Sequence, residues 1–77
     1  MRIKNYDTKA LQSLSMRHGE RVRFSYIDAK GKHTSVDTRV DSTTVLPNSI
    51  LTYTPFNGYK RYLFNRIQTD ITTGNDD

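Results

Sequence analysis

The sequence predicts a small, mainly β (α+β) domain: one N-terminal helix, then four or five short strands curled into a sheet or barrel. Three observations predict it. Helical spacing of apolar residues occurs convincingly in one place, between Asp7 and Gly19. After Gly19 the apolar period changes to two. Turn signals then recur at Asp28–Gly31, at Pro47-Asn48 and at Pro55–Gly58. With 77 residues, 34% of them hydrophobic, the chain has room for one domain around one thin core. Residues 1–71 form that domain in this reading, and 72–77 a frayed acidic tail.

The helix begins at Asp7, whose carboxylate can accept from first-turn N–H groups. Ala10, Leu11, Leu14 and His18 make one stripe, and Tyr6 is placed to staple Leu11. Arg17 and His18 suit the carbonyl end, and Gly19 supplies the left-handed stop. In the first strand Val22, Phe24 and Tyr26 face one way, with Arg21, Arg23 and Ser25 facing the other. A second strand, from about Lys32 to Val40, sets Thr34, Val36, Thr38 and Val40 against His33, Ser35, Asp37 and Arg39. The third runs Ile50–Thr54 and the fourth Tyr59–Asn65, joined by a hairpin turn in which Asn57-Gly58 tolerates positive φ. Ile67 and Ile71 fit a bent strand or a helical turn. The expected core is Leu11, Leu14, Val22, Phe24, Tyr26, Val36, Phe64 and Ile67.

Several function classes lack their residues. Without cysteine there is no disulfide scaffold, thiolate zinc site or thiol nucleophile. No serine stands in a Gly-x-Ser-x-Gly elbow, and the two histidines, His18 and His33, read as solvated surface residues. Asp37 and Asp41 read as solvent-facing charges rather than an acid–base pair, and the four glycines are isolated turn residues rather than a phosphate cradle. A non-enzyme without metal or cofactor is therefore expected. No apolar run approaches the roughly 20 residues of a membrane span, and no apolar stretch follows the positive start. The expectation is a cytoplasmic protein that does not enter membranes.

The net charge of +4 is unevenly placed: nine basic residues against four acidic up to Val40, three against four beyond it. Arg21 and Arg23 share one strand face, with Arg39 on the neighbouring strand. Lys60 and Arg61 follow the second hairpin turn beside Tyr59 and Tyr62. Basic groups interleaved with aromatics on a curved sheet suit a phosphate backbone and stacked bases. The competing reading is that they serve solubility and edge protection.

Tyr59-Lys60-Arg61-Tyr62-Leu63-Phe64-Asn65-Arg66-Ile67 resembles the barrel-closing motif of the WYL family: a basic residue, an aromatic two positions on, then Asp-Arg-Ile. Lys60, Tyr62, Asn65, Arg66 and Ile67 occupy those positions, with Lys and Asn replacing the usual Arg and Asp. His18–Tyr26 resembles the family's opening strand, Gly31 its first turn and Arg39-Val40 the end of its second strand. Ile50-Leu51-Thr52 stands where the family's Trp-Tyr-Leu tripeptide belongs, and Asp41-Ser42 where it has a proline. The resemblance implies an SH3-like β-barrel that binds nucleic acid or a nucleotide-like ligand. Lys60, Tyr62 and Arg66 carry over from its motif, and Arg39 joins them less directly. Added to the sheet-face arginines, they give the expected site: Arg21, Arg23, Arg39, Lys60, Tyr62 and Arg66. Such a domain suits a small transcription regulator or a phage- or mobile-element-encoded protein. The alternative is a protein-interaction module in which strand edges, Tyr53 and Phe56 dock a host protein or a second copy as a homodimer.

Overall fold

The computed structural model describes residues 1–74. Its elements are β1 (Arg2–Ile3), α1 (Thr8–Leu14), β2 (Arg21–Ile27), β3 (His33–Val40), β4 (Ser49–Thr54), β5 (Gly58–Leu63), a 3-10 turn (Phe64–Arg66) and β6 (Ile71–Thr73). The six strands form one sheet in the order β1-β6-β2-β3-β4-β5, with every neighbouring pair antiparallel. The protein is mainly β with one short helix, as the sequence indicates.

Helix α1 starts where expected, with the Ala10 N–H donating to Asp7 Oδ1 at 3.1 Å. It stops well short of Gly19. From Ser15 onward the chain tightens, Met16 N–H bonding Ser13 O and Arg17 N–H bonding Leu14 O. The Ser15 hydroxyl meanwhile donates to Gln12 O at 2.7 Å. Arg17 and His18 thus lie beyond the helix, and Tyr6 is 77% exposed rather than stapled. Gly19 has a different task from the expected helix stop. Its N–H donates to Val40 O while Val40 N–H donates to Glu20 O, so two residues oppose one. With φ +84° at Gly19, this is a glycine β-bulge that opens β2.

The expected alternation holds along β2 and β3. Val22, Phe24 and Tyr26 are buried, as are Val36, Thr38 and Val40, while Thr34 at the far end is exposed. Asp28 Oδ1 accepts from the N–H groups of Lys30 and Lys32, both at 2.9 Å, and so shapes the β2–β3 turn. All eight expected core residues are buried, joined by Ile3, Val40, Ile50, Tyr62 and Ile71. At the centre, the Phe24, Tyr26 and Tyr62 rings meet edge to face, with centroids 4.8–6.4 Å apart.

The expected fourth strand ends early. Phe64 to Asn65 belong to the 3-10 turn, which swings the chain from the β5 edge back to β2. There Ile67 bridges Tyr26, Gln68 N–H donates to Ser25 O at 2.8 Å, and Leu63 N–H donates to Tyr26 Oη at 3.0 Å. At this seam the Tyr26–Ile67 pairing is a single bridge, so the six strands do not close into a barrel by a continuous ladder. β6 corrects the expectation of a tail beginning at residue 72. Thr72 pairs with Arg2 and Arg23, and Thr73 with Val22, because this pairing buries Ile3 and Ile71. The rest of that expected tail, 75–77, lies outside the described residues.

Candidate nucleic-acid interface

Strand register builds the site. Arg21 on β2 pairs with Arg39 on β3, Arg39 with Tyr53 on β4, and Tyr53 with Tyr59 on β5. Side chains directly opposite one another in a sheet share a face. These four therefore make one row across four strands on the outer, solvent-facing side. The Tyr53 and Tyr59 rings lie tilted with centroids 4.8 Å apart and are 43% and 63% exposed. Phe56, at the adjoining hairpin tip, is 95% exposed. Together with Arg21, Arg39 and Pro55, the side chains of Tyr53 and Phe56 line an open depression of about 300 Å³. In the next row Arg23 pairs with Asp37 and Thr72, and Thr72 with Arg2.

Asp37 organises the arginines. The Arg21 guanidinium grips it with two hydrogen bonds, Nε to Oδ1 at 3.0 Å and Nη2 to Oδ2 at 2.7 Å. That bond above all, aided by the charges of Arg21, Arg23 and Arg39, holds the Asp37 carboxyl below the ordinary carboxylate range. Arg39 Nη1 donates to Gly19 O at 3.0 Å, so the bulge fixes it in place.

Two other aspartates are shifted in the same direction. The Lys32 N–H, with that of Lys30, lowers the pKa of Asp28; the Thr43 hydroxyl, 2.6 Å from Oδ1, and the Thr43 N–H lower that of Asp41. A carboxyl whose pKa is depressed on folding stabilises the fold above its unfolded value, and that stability is lost as pH falls through the folded value. The melting temperature is thus expected to hold from neutral pH down to about the unfolded aspartate value of 3.9 and to fall below it. Melts across an acid pH series check this. A decline beginning near neutrality would assign the acid sensitivity to groups other than these aspartates.

The six residues expected from sequence separate. Arg21, Arg23 and Arg39 come together on the outer face. Lys60 and Tyr62 have the opposite parity on β5, pairing with Thr52 and Ile50, both buried. Tyr62 is 7% exposed and locked among Phe24 and Tyr26, so it is a core residue rather than a free stacking surface; burial raises its pKa. The Lys60 ammonium lies 5.4 Å from the centre of the Tyr62 ring, in a cleft apart from the arginines. Arg66 donates through Nη1 to Asp28 O at 3.0 Å, tying the 3-10 turn to the β2–β3 turn. Arg66→Ala is therefore expected to lower the melting temperature, by about 4–8 °C for a loss of ~1 kcal/mol. A thermal melt checks it.

Tyr53, Tyr59 and Arg61 were absent from the expected site. Arg61 shares the outer parity of Tyr59 and donates to Ser49 Oγ at 3.0 Å. The signal that finds Tyr59 and Arg61 is period two along Tyr59–Tyr62. If Tyr62 faces the core, Tyr59 and Arg61 face out and Lys60 turns inward.

His18 Nδ1 accepts from the Ser42 N–H at 3.1 Å, and His33 opens β3. Among the described residues, no three His, Cys, Asp or Glu side chains gather to hold a metal ion. No described helix is long and apolar enough to cross a membrane. No protein-family model, curated protein or solved structure matches the chain.

Proposed function

We propose that this protein is a small, non-enzymatic regulator that binds single-stranded nucleic acid across the outer face of its sheet. The observation that carries the reading is the registered row Arg21–Arg39–Tyr53–Tyr59. The arginines supply forked donors for phosphate oxygens, and the exposed rings supply flat surfaces on which unpaired bases stack. Duplex bases are already stacked on each other, so a surface of this kind favours single strands. Phe56, at the margin of the row, extends the stacking surface.

We read the curled sheet as an SH3-like barrel of the WYL type, with phage or mobile-element regulation as its setting. Support comes from the 3-10 turn before the last strand, the Tyr26–Ile67 bridge, and the resemblance around Tyr59–Ile67. Within this reading the ligand-binding role moves from Lys60, Tyr62 and Arg66 to the outer face.

Fluorescence anisotropy with labelled oligonucleotides tests the proposal. Binding should be modest, stronger to single strands than to duplex, and should weaken steeply with salt. Absence of binding at low salt, with a host protein co-purifying after nuclease treatment, would favour the protein-interaction alternative.

A further inference from the structure

Strand β3 is eight residues long, yet only Arg39 and Val40 pair with β4. The reason lies in ladder parity. Val40 N–H bonds Glu20 O and Asp28 N–H bonds Lys32 O, so the even-numbered residues of β3 direct their peptide groups at β2. The odd-numbered residues direct theirs the other way: Arg39 at Tyr53, then Asp37 and Ser35. Continuing the register, the residue that would meet Asp37 is Pro55, just past the end of β4, which has no N–H to donate. The ladder stops there, and the β4–β5 hairpin diverges from β3.

A polar cleft of about 360 Å³ fills the divergence. Thr34 to Thr38 form one wall, with Thr52, Lys60 and Tyr62 across from them. Among the described residues, no hydrogen bond occupies the peptide groups of Ser35 and Asp37 on this side, and both residues are exposed. Of the two charged residues lining the cleft, Asp37 commits its carboxylate to Arg21 on the outer face. Lys60 supplies the remaining charge, and it is positive.

We propose that this cleft is a second binding site, which takes a short extended peptide segment carrying a carboxylate. The peptide main chain adds to β3 by pairing with Ser35 and Asp37, and its carboxylate meets the Lys60 ammonium. The opening is short and flanked by the Lys30 and Lys32 turn, which limits open-ended strand addition by other copies. The site is independent of the outer face, since its residues have the opposite orientation or use only main-chain groups.

The test is amide hydrogen exchange on the isotopically labelled full chain. The probe is a pentapeptide of alternating valine and threonine ending in a free glutamate. One control peptide has alternate amides N-methylated, and another ends in lysine amide. At saturation, the Ser35 and Asp37 amides should exchange at least about tenfold more slowly, while those of Val36 and Thr38, already bonded to β2, stay unchanged. The N-methylated peptide should bind about tenfold more weakly or worse. Ser35→Pro removes a donor that faces only the cleft, so it should abolish binding. If that variant fails to fold, Lys60→Glu decides: it should prefer the lysine peptide over the glutamate one. Exchange slowed at neither amide by any of these peptides would overturn the proposal. So would equal binding of the N-methylated peptide, or a Lys60→Glu variant with unchanged preference.

Discussion

Phe24→Ala is expected to lower the melting temperature by about 12–40 °C. The range comes from ~3–5 kcal/mol for emptying a buried phenylalanine site and about 4–8 °C per kcal/mol in a domain of this size. Phe24 is 5% exposed, and its ring meets Tyr62 edge to face at 5.3 Å and Tyr26 at 6.4 Å. These three rings join β2 to β5 across the curl of the sheet, a junction otherwise made by the Leu63 to Tyr26 hydrogen bond and the Ile67 bridge. A domain of this length has roughly 0.05–0.15 kcal/mol of stability per residue, so the loss is a large share of the total. Calorimetry or a thermal melt reads it directly. A melt matching the wild type would place Phe24 on the surface and invalidate the strand register.

The second large effect concerns the ligand. Arg21→Gln/Arg39→Gln is expected to weaken single-strand binding about a hundredfold at low salt, taking ~1.5 kcal/mol for each lost charge-assisted contact at an exposed site. It should also flatten the dependence of log affinity on log salt by about 1.4, from two phosphate contacts at about 0.7 each. Stability should change little. The Arg21–Asp37 pair and the Arg39 to Gly19 O bond both lie exposed to solvent, unlike the part-buried Arg66 tie, and exposed pairs contribute less than about 1 kcal/mol. Anisotropy titrations at several salt concentrations give both quantities. An affinity drop that does not vary with salt would mean that the two arginines act through the fold rather than through phosphate.

The helix cap, the β2–β3 alternation and the core were legible because each depends on residues close in sequence. Asp7 can be read as a cap from its place before an apolar stripe, and Val22, Phe24 and Tyr26 as an inner face from their spacing. β1 and β6 were not legible. A strand of two residues has no period, and Arg2–Ile3 exists because β6 pairs with it from the other end of the chain. The helix end was misread for a related reason. Gly19 looks like a stop, but its conformation serves a bulge against Val40, a partner 21 positions away.

The placement of the candidate residues was legible for β2 and β3 and not for β5. Arg21, Arg23 and Arg39 follow from alternation on β2 and β3. On β5, the period of the strand opposes Lys60 and Tyr62 to Tyr59 and Arg61, which the resemblance around Tyr59–Ile67 does not reveal. Tyr62 and Arg66 hold the fold together, through ring packing and a tie to Asp28 O.

The central claim is that single-stranded nucleic acid lies along the row from Arg21 to Tyr59. Chemical-shift mapping of the labelled protein during titration with a short single-stranded oligonucleotide tests it most directly. Shifts are expected at the Arg21 and Arg39 side chains and the Tyr53 and Tyr59 rings, with Val22, Thr52 and Tyr62 on the inner face unmoved. Shifts centred on Lys60 and Tyr62, or none at saturating oligonucleotide in low salt, would contradict it.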